Sequence, residues 1–154
     1  DKVYMEQLYT FREVDRDPRG RVVAVGYSAY VPWSSLSHTE QADTDQCWWQ
    51  PAEKKITLAY DHNEMLNVAL TRLHSRMTYT TLIGKLMPKE FTLTELEEMY
   101  EATLGHELDK RNFRKKILKL DVLKELPRKR TGGRFRPAQL YAFKSDKVKE
   151  IEIL

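Results

Sequence analysis

Aromatic and β-branched residues crowd 3–11 and again 21–31, and between them lies the turn-forming run Asp15-Arg16-Asp17-Pro18-Arg19-Gly20. The pattern predicts two strands folded into a hairpin with a broad polar loop. Residues 32–46 are rich in Ser, Thr, Asp and Glu, show little periodicity and predict a surface loop. Cys47-Trp48-Trp49 then predicts a short strand that Pro51 ends. By the alternation of a strand, one of the two tryptophans is expected in the core. Further on the period lengthens: Met65, Leu66, Ala69, Leu70, Leu73 and Met77 recur at helical spacing. Asp61 with Glu64 three residues later has the form of a capping box, so one amphipathic helix is expected to close this part of the chain.

After a Thr-rich connection at 78–81 a second set begins. Thr92 and Glu95 form another capping box, Leu93, Leu96, Met99, Tyr100 and Leu104 make an apolar stripe, and Gly105 ends the helix. Asp109 is placed to cap the next helix, in which Phe113, Ile117 and Leu120 share one face. At about 100° per residue, Arg111 and Lys115 point away from that face while Asn112 and Arg114 project sideways. Strands are expected at 122–126 and 138–143, joined by a loop over 127–137 with Gly132-Gly133 at its tip. Helix, turn, helix and glycine-tipped hairpin is the order of a winged helix-turn-helix. Two domains follow, 1–78 and 79–154, in an α+β chain.

Charge sharpens this picture. The chain carries a formal net charge of +3 over 154 residues, with 26 Lys and Arg against 23 Asp and Glu. From Lys110 to Arg136 there are twelve basic residues and two acids, which leaves fourteen basic and twenty-one acidic elsewhere, so +10 faces −7. Such a segment repels itself unless a polyanion lies against it, so nucleic acid is the expected partner rather than solvent alone. A helix fits the major groove of duplex DNA, where Arg and Asn form paired hydrogen bonds with guanine and adenine edges. Arg111, Asn112, Arg114 and Lys115 are the candidates for that contact, with Lys110, Lys116 and Lys119 flanking them near phosphates. Arg128, Lys129, Arg130, Arg134 and Arg136 surround the glycines of the wing, a second surface suited to a sugar-phosphate backbone or a minor groove. The aromatic stacking series of a single-strand binder does not accompany the charge.

Other classes are set aside on composition. Hydrophobic residues make up 41% and aromatic residues 10%, enough for packed cores. No apolar run approaches the ~20 residues that span a bilayer, and the first residues do not resemble a signal peptide, so a cytoplasmic location with no membrane partner is expected. Cys47 is the only cysteine, which excludes an intrachain disulfide and a cysteine-based zinc site and predicts a buried structural thiol. His38, His74 and His106 lack metal-ligand spacing, and His62 is read as structural.

The run 3–11, the loop Val14-Asp15-Arg16-Asp17-Pro18-Arg19-Gly20-Arg21-Val22-Val23 and Leu58-Ala59-Tyr60-Asp61-His62 resemble the Nudix-related transcriptional regulators of the NrtR type. So do Phe91-Thr92-Leu93-Thr94-Glu95-Leu96, Leu108-Asp109-Lys110-Arg111-Asn112-Phe113-Arg114-Lys115-Lys116-Ile117 and the run from Gly132 to Tyr141. The resemblance covers nearly the whole chain. It implies the C-terminal part of a Nudix α/β/α sandwich, related to ADP-ribose pyrophosphatase, followed by the winged helix. It also implies a homodimeric repressor of a metabolic operon, in NAD or sugar metabolism. Its effector would be an ADP-ribose-type nucleotide or a pentose sugar, and its operator palindromic. Asp15, Arg16, Asp17 and Arg19 would then border the ligand cleft, with a hairpin turn of exposed ion pairs as the equal alternative, and Trp48 or Trp49 could stack on a base.

The chain departs from the family in one respect. A Nudix hydrolase holds Mg²⁺ on the carboxylates of a loop-helix box, and in the family that box precedes the residues aligned with Val3. Here the box is absent. Glu95-Leu96-Glu97-Glu98 imitates it, but Thr94 stands where Arg is required and Thr80 and Leu86 where the first Gly and Glu belong. Those acids are read as a solvated helix face. The expectation is a fragment of a longer regulator that carries no catalytic residue and holds no metal, with Mg²⁺ reserved for an intact parent. The alternatives are a piece of a Nudix hydrolase and a winged helix used for protein contacts.

Overall fold

The computed structural model describes residues 3–44, 47–52, 54, 56–131 and 137–152. The chain forms two compact units, one from 1–31 with 35–73 and the other from 32–34 with 74–154.

In the first unit, β1 (Tyr4–Phe11) pairs antiparallel with β2 (Ala24–Tyr30), as the pattern predicts. A bulge between Gln7 and Tyr9 breaks the alternation of β1, so Leu8 and Phe11 are both buried although their parity differs. Gly26 lies across from the bulge because a Cβ there would stand 3.0 Å from the Phe11 ring. The segment expected as a plain loop holds a 3₁₀ turn, Trp33–Ser35, and one helical turn, α1 (His38–Gln41). Ser37 and Glu40 make a reciprocal capping box there, a signature that a search for longer periodicity passes over.

The expected strand at 47–49 does not form. Thr44 and Cys47 exchange backbone hydrogen bonds in a turn, the Cys47 thiol is exposed rather than buried, and Trp48 and Trp49 are both exposed. The Trp49 indole N–H donates to the Glu40 carbonyl at 2.8 Å, and its backbone N–H to Asp43 Oδ1 at 2.8 Å. These bonds tie it to the end of α1, leaving no ladder to join.

α2 (His62–Tyr79) follows, running two residues past the end of its apolar stripe at Met77. Asp61 does not cap it, because both carboxylate oxygens are taken by Arg16. Asn63 makes the local contacts instead, accepting from the Leu58 N–H at 2.8 Å and donating to the Ile56 carbonyl at 2.6 Å.

The second unit takes in the last turns of α2 and continues through a 3₁₀ turn, Thr81–Lys85, to β3 (Phe91–Thr92), α3 (Leu93–Leu104), α4 (Lys110–Lys119), β4 (Leu123–Arg130) and β5 (Ala138–Phe143). The three strands form an antiparallel sheet in the order β3-β5-β4. β3 has two residues, too few to show a period, and was invisible in the pattern. β4 runs past Pro127 to Arg130, beyond the expected 122–126, because a register shift between Glu125 and Lys129 accommodates a residue with no N–H for the ladder. Leu82, Ile83, Phe91, Leu96, Tyr100 and Ile117 are fully buried, with Tyr100 edge-on to Phe113 at 5.2 Å. After β5 the chain returns to the start of the unit: the Thr81 N–H donates to the Lys149 carbonyl at 2.9 Å and the Ile151 N–H to the Tyr79 carbonyl at 2.8 Å. Among the described residues no helix is long and apolar enough to cross a membrane.

Candidate nucleic-acid interface

The turn between α3 and α4 is fixed at three points. Gly105 ends α3 at φ 74°, a left-handed conformation that glycine adopts without steric cost. The Leu108 N–H donates to Glu101 Oε1 at 2.8 Å, and Asp109 caps α4 by accepting the Asn112 N–H at 2.7 Å. Phe113 and Ile117 are buried, so α4 docks on the side that its sequence predicts. Arg111, Asn112, Lys115, Lys116 and Lys119 are exposed. Among the described residues no acid pairs with Arg111, Lys115, Lys116 or Lys119.

Lys110 and Arg114 are placed differently. Glu97 on α3 is 1% exposed, with one carboxylate oxygen 3.3 Å from Lys110 Nζ and the other 3.3 Å from Arg114 Nη2. Arg114 Nη2 also donates to Thr94 Oγ1 at 2.9 Å. The reading of 95–98 as a solvated face is therefore corrected: Glu97 is buried beneath two cations, and Glu95 both completes the Thr92 capping box and pairs with Arg130. A stripe search sorts residues by polarity and cannot see an acid turned inward to meet cations 13 and 17 positions away. Arg128 is paired too, with Glu90, while Lys129 is exposed and without an acid among the described residues. Arg134 and Arg136, with the glycines of the tip, lie outside the described residues.

In the first unit the four residues expected at a ligand cleft divide into two kinds. Arg16 is half-buried, with its side chain only 6% exposed, and holds Asp61 with two bonds, Nε to Oδ2 at 2.8 Å and Nη2 to Oδ1 at 2.9 Å, which pins the loop to the start of α2. Asp17 is buried and accepts from the Arg19 backbone and guanidinium, which hold its carboxyl at about 2, below the usual 3.8. Arg19 is exposed and lies 5.2 Å over the Tyr60 ring, and Tyr60 itself has φ 54°, unusual for a bulky residue. Asp15 is exposed. Arg16 and Asp17 thus build the loop with the help of Arg19, and Arg19 and Asp15 are the two of the four that are exposed. Among the described residues no group of three or more His, Cys, Asp or Glu side chains could hold a metal ion, so no step through Mg²⁺ is assigned to them.

A three-stranded antiparallel sheet, two helices joined by a tight turn and a basic exposed second helix define a winged helix-turn-helix. Residues 83–143 match the NrtR DNA-binding winged helix domain. The chain is 38% identical over 149 residues to the ADPR responsive transcriptional repressor NtrR of Acinetobacter baylyi, a match covering 93% of this chain and 57% of that protein. It is 34% identical to NrtR of Shewanella oneidensis, with a TM-score of 0.78 over 92% of this chain and 64% of that one. The crystal structure of the same protein complexed with a 27mer DNA gives 0.79 over the same shares. A MutT/nudix family protein from Enterococcus faecalis is 27% identical, with a TM-score of 0.67 over 92% of this chain and 62% of that one. The chain is thus a relative of the Nudix-related regulators of the NrtR type, and it spans less than two thirds of these proteins.

Proposed function

We propose that this chain is the DNA-contacting part, with a Nudix-like sensor part, of a transcriptional repressor that responds to an ADP-ribose-type nucleotide. The exposed face of α4 carries the proposal: Arg111, Lys115, Lys116 and Lys119 stand on one helix with Asn112, and no acid among the described residues pairs with any of the four cations. Arg111, Asn112 and Lys115 have the chemistry to read base edges, and Lys116 and Lys119 that of phosphate contacts. A winged helix used for protein contacts has no need of such a face. The repressor function and the effector are supported by the Acinetobacter relative, which is ADPR-responsive, and the DNA contact by the Shewanella relative, which has been crystallised on DNA. The parts act in the order sensor then winged helix, 1–78 and 79–154, in a cytoplasmic homodimer on a palindromic operator with half-sites about one or two helical turns apart. Arg19 over Tyr60 is a cationic shelf suited to a phosphate or an adenine, and Asp15 stands four positions before Arg19 in the same loop. The chain works by binding, not by hydrolysis.

Fluorescence anisotropy against the duplex upstream of its own operon, with scrambled duplex as control, tests this reading. Selective, salt-sensitive binding that ADP-ribose reverses is the expected result. Equal affinity for both duplexes would refute the regulator, and release of AMP from ADP-ribose with Mg²⁺ would refute the binding-only role.

A further inference from the structure

The arrangement around Glu97 assigns a role that charge alone obscures. Glu97 is the one acid among the described residues that is almost wholly buried while touching two cations of the basic helix. The contacts at 3.3 Å are ion pairs without the alignment of hydrogen bonds, since neither Glu97 oxygen has a hydrogen-bond donor. Lys110 and Arg114 are four residues apart, one above the other on the same side of α4. A buried carboxylate held by both of them fixes the rotation of α4 against α3 about its own axis. That rotation decides which side chains face outward. Arg114 has a further tie to Thr94, so to reach a base edge it would have to leave two partners and leave a buried charge to Lys110 alone.

We propose that Glu97, Lys110 and Arg114 are positioning residues that set the angle at which α4 meets DNA, and that base reading falls to Arg111, Asn112 and Lys115. The proposal rests on the DNA-binding reading given above. Glu97 acts on DNA only through the two cations. Arg114, one of the four base readers expected from the sequence, is moved from contact to support.

Two substitutions and one measurement without DNA decide it. Glu97→Gln keeps the shape and removes the charge. It should lower the ratio of affinities for selected over scrambled duplex about tenfold, while scrambled duplex binds as well or better because two cations are released. The salt slope should steepen by about one to two units if the released cations reach phosphates. Arg114→Lys leaves a cation within reach of Glu97 but cannot make the two-pronged guanine contact. It should keep selectivity within about threefold. Loss of discrimination at a single base position in Arg114→Lys, or an unchanged ratio in Glu97→Gln, would overturn the proposal. The probe is a duplex recovered by selection from a random-sequence pool. If the wild-type protein selects no sequence, the function reading fails, and hydrogen exchange still judges the lock. The Asn112 and Phe113 amides, bonded to Asp109, should exchange at least about fivefold faster in Glu97→Gln relative to the β4–β5 amides. Unchanged relative rates would refute it.

Discussion

Tyr100 is fully buried, its phenol has no hydrogen-bond partner among the described residues, and burial pushes its pKa well above the usual value. The ring is needed for the edge-on contact with Phe113, whereas the hydroxyl is an unsatisfied polar group in the core. Tyr100→Phe is therefore expected to stabilise the winged-helix unit by about 1 kcal/mol, read as a higher urea midpoint at constant slope. Destabilisation would mean that the hydroxyl has a partner, such as a buried water. A second residue-scale outcome concerns pH. Folding lowers the Asp17 pKa to about 2 from the usual 3.8 through its bonds to Arg19, and Arg16 lowers that of Asp61. Both groups have depressed folded pKa values, so each supports the loop when ionised and loses that support as the pH falls; for Asp17 the support is complete above about pH 4 and is lost as the pH falls toward 2. An NMR titration of the Asp17 carboxyl should show this midpoint, and the Arg19 guanidinium signals should lose their protection over the same range. The sequence placed these residues in one loop, but it could not distinguish builders from contacts. Arg16 and Arg19 read alike, and only the fold, by bringing Asp61 to one and Tyr60 to the other, makes them different.

Elements with their own local signals were legible. Thr92 with Glu95, Gly105 and Asp109 act in the fold as their types predict, because capping depends on neighbours within four positions. Elements decided by distant partners were not. Asp61 has the form of a cap and is claimed by an arginine 45 residues away, and β3 exists only because β5 lies beside it. β4 crosses Pro127 because a bulge removes the need for its missing N–H, and Trp48 and Trp49 find no neighbouring strand. A consequence for α4 is open to measurement. Its cap is Asp109, which also places a negative charge at the positive end of the helix dipole. Asp109→Ala should cost about 1 kcal/mol of stability, and Asp109→Asn much less because the amide oxygen can still accept the Asn112 N–H. Equal losses in the two variants would mean that charge rather than the hydrogen bond holds the first turn.

Over the whole molecule, the separation of +10 from −7 overstates the charge offered to DNA. Four cations of the basic segment are already matched: Lys110 and Arg114 by Glu97, Arg128 by Glu90 and Arg130 by Glu95. Those three acids come from 90–97, just ahead of the basic segment in sequence, so the contrast that marks the segment is partly cancelled when the chain folds. Surface pairs of the Arg128 type are worth little in water and yield readily to a phosphate, whereas the pairs on buried Glu97 do not. The nine cations of α4 and of residues 128–130 therefore fall into three groups. Arg111, Lys115, Lys116, Lys119 and Lys129 bind at no internal cost, Arg128 and Arg130 exchange one partner for another, and Lys110 and Arg114 stay in place. Exchange of an internal ion pair for a phosphate releases fewer ions than capture by a bare lysine, which makes the groups separable by salt. Lys129→Ala should reduce the salt slope of binding to scrambled duplex by about one unit, and Arg128→Ala by clearly less. Equal reductions for the two would show that Glu90 does not hold Arg128 in solution and that the wing offers its full charge to DNA.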